Sequence, residues 1–275
     1  MQATDPQDDD PQQWCGNTPQ LDIRHPRVRL LAVRLTQLRY SARDKALACF
    51  RHVRQMPFGC VGDGTGVPAL TVMRLNRGDC HTKSTLLVAL LRSIGIPARL
   101  RLVSLRSEFL RGIIDLGDQP VEHCLVEVWL EDRWVRFDSH VMDPDLSEAA
   151  RTQLRLEGKQ LGYGLHLDGA TDWDGYLDAL SPTVASDERS LPVRDWGCYD
   201  DPYSFYSSTE ALRSKLGWTS RMVWMLGARR VNQRVHLLRR GWWAGPLHLR
   251  VGMTELMLRR ADAARVGIDH VAVSA

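Results

Sequence analysis

The sequence predicts an α+β fold: a cysteine-bearing helix packed on a small antiparallel sheet, followed by a mainly helical C-terminal extension. Three observations lead there. "GDCHTKSTLLVALLRSIGIPAR" (78–99) opens on a turn, places Cys80 at its mouth and runs on with apolar residues at helical spacing. "VEHCLVEVWLEDRWVRFD" (121–138) reads as two β-rich runs around Glu131-Asp132, a hairpin. From residue 146 the pattern changes to helical stretches separated by aromatic, Gly- and Pro-rich chain.

Taken in order, residues 1–20 read as a disordered tail, acidic at "TDPQDDDPQQ". Residues 21–145 form the core and 146–275 the extension, packed together as one unit. "HPRVRLLAVRLTQLRY" has Val28, Leu31, Leu35 and Leu38 at helical spacing. Ser41 with Asp44 starts a second helix through Leu47, Phe50 and Val53. "PFGCVGDGTGVP" breaks it as a loop, and no Gly-Lys-Ser/Thr follows to make it a phosphate cradle. Asp79 is an N-cap residue; Leu86, Leu87, Leu90, Leu91 and Ile94 form a stripe; Gly95 and Pro97 stop the helix. "ARLRLVSL" is a strand and "SEFLRGIIDLGDQP" a connection. After the hairpin, "LSEAARTQLRLEGKQLG" is a helix, 162–208 a long ordered loop region and 209–240 a basic helix, with one more helix after it. No internal repeat is present.

Bulk properties exclude several classes. A chain of 275 residues, 44% hydrophobic and 25% charged, is globular. No apolar run approaches the roughly 20 residues of a membrane span. The acidic start lacks the basic and apolar regions of a signal peptide, so the expected location is cytoplasmic. The six cysteines are scattered without a C-x-x-C, which speaks against a disulfide framework. The net charge of +3 hides an asymmetry, because residues 206–275 hold 12 Lys and Arg against 4 Asp and Glu.

Cys80 carries the chemical argument. A helix N-terminus favours a thiolate, since unpaired N–H groups and the helix dipole stabilise an anion there, and the same donors can form part of an oxyanion hole. A base and an orienting group are then needed. With Glu131-Asp132 as a two-residue turn, Leu130 pairs with Arg133 and Asp138 falls opposite Leu125. His123, Leu125, Glu127 and Asp138 then share one face. His123 and Asp138 are diagonal neighbours roughly 7–8 Å apart at the backbone. Asp138 holds the ring of His123, and His123 takes the proton of Cys80. His81 and His140 are read as neighbours of the site rather than as the base.

These pieces, with "DKALACFRHVRQM" before them, resemble the transglutaminase-like superfamily of papain-related thiol enzymes, over roughly residues 27–145. The order Cys, His, Asp is that family's order. The His strand departs from it: the family often has His-Ala-Trp where this chain has His123-Cys124-Leu125. The resemblance implies a papain/transglutaminase-like core, with Cys80 as nucleophile, His123 as base and Asp138 as orienter. It implies no cofactor. Such enzymes often add an upstream Trp or amide side chain to the oxyanion hole; no Trp lies between Trp14 and Cys80, and Asn76 is the candidate by type.

The expected activity is acyl transfer, or amide or thioester cleavage, through a thioacyl-enzyme. The donor is a peptide, amide or thioester, and water, an amine or a carbon nucleophile can accept. One variant is transfer or cyclisation of a thioester delivered by an acidic carrier protein in a natural-product pathway, for which Arg229, Arg230, Arg234, Arg239 and Arg240 offer a basic face. No motif supports nucleic-acid binding. The rivals are an inactive binding scaffold and a zinc site at Cys80-His81 and His123-Cys124. The second suffers from Cys124 pointing to the opposite strand face from His123.

Overall fold

Helix α4 (Cys80–Ser93) runs through the middle of the molecule, and every residue from His81 to Arg92 is buried. The computed structural model describes residues 10–61, 65–209, 212, 227–236, 238, 247–251 and 254–258. On one side α4 meets α1 (Pro26–Thr36), α2 (Ala42–Gln55) and α3 (Ala69–Leu75); on the other it meets β1 (Ala98–Leu105) and β2 (Val121–Leu130). A helix enclosed on all sides needs no polar face, which is why its sequence is apolar beyond one stripe.

Local chemistry fixes the ends of these helices. Ser41 caps α2 by accepting from the N–H of Asp44. Gly95, at φ +79°, closes α4: its N–H reaches the Arg92 carbonyl and that of Ile96 reaches Leu91. α3 was not expected, being too short for a periodic signal; it ends at Asn76 in the left-handed region. The buried Lys83 ties α4 to its surroundings, its Nζ donating to the carbonyls of Met56 (2.8 Å) and Val141 (2.9 Å).

The main sheet is antiparallel, in the order β3-β2-β1-β6, with β3 at Arg133–Phe137 and β6 at Arg194–Tyr199. Glu131 and Asp132 have φ of +50° and +59°, a type I′ turn, and the pairing Leu130↔Arg133 through Val126↔Phe137 follows the register read from the sequence. β6 lies in the part of the chain read as a loop and extension, yet it completes the core sheet beside β1. α5 (Pro144–Glu157) follows β3, and the short α6 (Pro202–Tyr206) follows β6. Strands β4 (Leu161–Gly162) and β5 (Leu165–His166) make a small separate pair.

Two expectations change. Residues 10–20, assigned to the tail, are structured: Pro11–Cys15 form a 3-10 turn and Trp14 lies under the guanidinium groups of Arg92 and Arg99. Where a last helix was expected, β7 (Leu247–Val251) and β8 (Thr254–Leu258) pair as a hairpin. Of the expected basic helix, residues 227–236 are helical; Val231 and Val235 pack in one cluster with Leu146, Ala150 and Leu154. Among the described residues, no helix is long and apolar enough to cross a membrane.

Candidate active site

The turn before α4 explains the Gly-Asp-Cys order. Asp79 Oδ1 accepts from the N–H groups of His81 and Thr82, while Thr82 Oγ1 accepts from the N–H of Asp79, a reciprocal cap. Gly78 has no room for a side chain: a Cβ there would lie 2.6 Å from Thr82 Oγ1 and 2.9 Å from Lys83 Cγ. Cys80 is thereby held as the first helical residue, half-exposed. With His81 and Thr82 bonded to Asp79, the Cys80 N–H is left as the free donor of the first turn.

His123 lies on β2 opposite Val103, and Asp138 immediately follows β3. Both are buried, and His123 Nε2 donates to Asp138 Oδ2 at 2.8 Å. The other carboxylate oxygen, Oδ1, accepts the N–H of Ser181 at 2.6 Å, and the Asp138 N–H reaches the Ala179 carbonyl at 3.1 Å. The region after β5 therefore fixes the acid. With Nε2 committed, the buried Nδ1 of His123 has no hydrogen-bond partner of its own. Phe109 packs edge-on to the ring at 5.6 Å.

Burial alone would push the Cys80 thiol up, but the charge and hydrogen bond of His81, together with the neighbouring charge of His123, bring it down to about 6. Burial opposes protonation of His123 as well, yet Asp138 and the Cys80 thiolate raise it to about 9. Thiolate and imidazolium stabilise each other. Burial drives the other thiols the opposite way, Cys49 to about 12 and Cys124 to about 11.

His81 is closer to the chemistry than the sequence reading placed it. Its Nδ1 lies 3.3 Å from Cys80 Sγ, and its Nε2 lies 3.1 Å from the hydroxyl of Tyr206, which stacks on the ring. His140 is enclosed, with Nε2 2.9 Å from Ser84 Oγ; burial, Lys83 and His123 hold it well below its ordinary value, so it stays neutral.

Cys80 and His123 open on a cavity of about 500 Å³. Its wall holds Phe109, Leu110, Ile113, Ile114 and Leu116, all from the stretch read as a mere connection. The signal was present: five large apolar residues in a connection must bury themselves against something. Ala228 and Val231 of the helical residues 227–236 complete the cavity. That helix is clasped twice. Asn232 exchanges two hydrogen bonds with the backbone of Cys60, and Arg234 Nε donates to the Gly112 carbonyl at 2.8 Å.

Asn76 is not part of this arrangement; it is an exposed helix C-cap away from the cavity lining. Arg234 is occupied by Gly112, whereas Arg229 and Arg230 are exposed on the face away from the cavity. Arg239 and Arg240 lie outside the described residues. No group of three His, Cys, Asp or Glu side chains suited to a metal ion occurs among the described residues.

Compared with solved structures, the chain aligns with a "putative cysteine protease" from Cytophaga hutchinsonii at 17% identity, over 48% of this chain and 42% of that one, with a TM-score of 0.39. A "putative protease" from Parabacteroides distasonis aligns at 19% identity, over 42% and 24%, with a TM-score of 0.32. The match thus spans less than half the length of either protein. The comparison with curated proteins finds no match. Among protein families, residues 29–139 match the Transglutaminase-like superfamily, a span that runs from within α1 to just past Asp138. From α1 to the end of the His and Asp hairpin, the chain carries a domain of the Transglutaminase-like superfamily.

Proposed function

We propose that the protein is a cysteine-dependent acyltransferase or hydrolase that works through a thioacyl-enzyme on Cys80. The domain assignment supports thiol-dependent acyl transfer or hydrolysis in general terms. The observation that carries the finer reading is the buried 2.8 Å pair of His123 and Asp138, which leaves one imidazole nitrogen for a half-exposed thiol at a helix start. The Cys80 thiolate attacks the carbonyl carbon of an amide or thioester, and the C–S bond forms. The oxyanion is met by the Cys80 N–H. The bond to the leaving group breaks, and the imidazolium of His123 gives that group its proton. Water or an amine then attacks the thioacyl carbon, passes its proton to His123 and releases Cys80.

Intact-protein mass spectrometry after exposure to S-acyl-N-acetylcysteamine donors tests this. The expected result is an acyl adduct on Cys80, absent from Cys80→Ala and strongly reduced in His123→Ala. A wild type that takes up no acyl group, or turnover that survives in Cys80→Ala, makes the chain a binding scaffold instead.

A second reading has the thioester arrive on an acidic carrier protein. One observation favours it: the helix whose Ala228 and Val231 line the cavity exposes Arg229 and Arg230 on its other side. A carrier bound there would deliver its acyl group beside Cys80.

A further inference from the structure

We infer that the acyl group handled at Cys80 is a long or bulky apolar one, bound in the cavity that opens on the thiol; this rests on the thioacyl-enzyme reading above. The volume of about 500 Å³ suits a small-molecule chain rather than a single small acyl group. Apolar residues from three parts of the chain line it. One is the segment with Phe109, Ile113 and Ile114, another is Val141 and Met142 beyond β3, and the third is Ala228 and Val231. No Lys or Arg side chain lines it among the described residues. The acidic ones, Asp79, Glu122 and Asp138, belong to the Cys80–His123 site or adjoin it in sequence. An anionic acyl chain would lose its hydration there and find no Lys or Arg to pair with among the described residues. An apolar chain gains with every methylene it buries. Cys80 and His123 belong to the same lining, so an acyl chain on the thiol would lie against these apolar residues while the leaving group stays outside.

The experiment is a series of S-acyl-N-acetylcysteamine donors from acetyl to decanoyl, used two ways. First, binding to Cys80→Ala is followed by calorimetry, since this variant cannot react. The decanoyl compound is expected to bind and the acetyl compound not to; equal or absent binding of both overturns the apolar-chain assignment. Second, acylation of the wild type is timed by intact mass. The expected kcat/KM rises by roughly fourfold per added methylene until the cavity is full. A flat or falling series in a protein that is acylated overturns the inference while leaving the thioacyl-enzyme intact. Binding of the decanoyl donor without any acylation does the reverse: the cavity stands and the catalytic reading falls. Ala228→Trp, which fills the cavity from the helix 227–236 side, should bring the decanoyl-to-acetyl ratio down by at least roughly tenfold. Should that variant not fold, Leu116→Glu at the partly exposed rim places a charge in the path of the chain and should lower the same ratio.

Discussion

At the level of single residues, the charge states of Cys80 and His123 decide what the site can do at a given pH. With the thiol at about 6 and the imidazole at about 9, the thiolate–imidazolium pair dominates between those values. On the proposed thioacyl-enzyme reading, the nucleophile is protonated below the lower value and the acid for the leaving group is lost above the upper one. Turnover should therefore rise through about pH 6 and fall through about pH 9. Iodoacetamide at pH 6.5 should label Cys80 ahead of every other cysteine, because burial raises the thiols of Cys49, Cys60, Cys124 and Cys198. Peptide mapping that finds even labelling would contradict this. Asp138→Asn removes the charge that raises His123, so the basic limb should move down, with a rate loss of up to roughly 10⁴-fold. His81 adds a second influence. Burial opposes a charge on His81, but Cys124, Tyr206 and Cys80 raise it well above its ordinary value, so the charged ring donates Nε2–H to the Tyr206 hydroxyl and Nδ1–H to the thiolate. Tyr206→Phe keeps the ring and removes that acceptor, which weakens the hold on the charged form of His81. It should raise the midpoint of Cys80 alkylation by about one unit; an unmoved midpoint means that the hydroxyl serves packing alone.

At the level of elements, two local structures place the reactive groups, and both were legible in the sequence for physical reasons. The two-residue turn at Glu131-Asp132 sets the hairpin register, and a one-residue slip would send His123 and Asp138 to opposite faces. The cap at Asp79 sets where α4 starts, and so where Cys80 stands. Gly78→Ala tests the second. The added Cβ collides with Thr82 Oγ1 and Lys83, so the cap must open. The expected cost is about 1–3 kcal/mol in a denaturant titration, accompanied by a higher midpoint for Cys80 alkylation. A variant as stable as the wild type would show that the helix start tolerates the shift. What was not legible depends on contacts distant in sequence. Nothing local to Ser181 says that its N–H braces Asp138, nothing in "RDWGCY" says that it pairs with β1, and nothing in Asn232 points to Cys60. Asn76 is a local case instead: its type suits an oxyanion hole, but its left-handed backbone makes it a helix end.

At the level of the whole molecule, the excess of positive charge and the apolar cavity meet on one helix. The net charge of +3 is the difference between a basic C-terminal quarter and an acidic remainder. The helical residues 227–236 sit on the cavity because Asn232 and Arg234 fasten them, one to the chain before α3 and one to the segment before β2. Arg229 and Arg230 of the same helix are exposed and are not among the residues that line the cavity. A neutral small thioester has no use for those charges, whereas an acidic carrier does. Long-range attraction to exposed charges is screened beyond about 8 Å at physiological ionic strength. The double variant Arg229→Glu, Arg230→Glu should therefore raise KM for a carrier-bound acyl group at low salt, and the difference from wild type should shrink as salt is added. The control donor is the matching S-acyl-N-acetylcysteamine, whose KM should carry no such salt dependence. Kinetics on both donors at low and high salt separate the cases. A carrier-bound donor indifferent to both charge reversal and salt would leave the basic face as ordinary solvated surface and remove the support for delivery by a carrier.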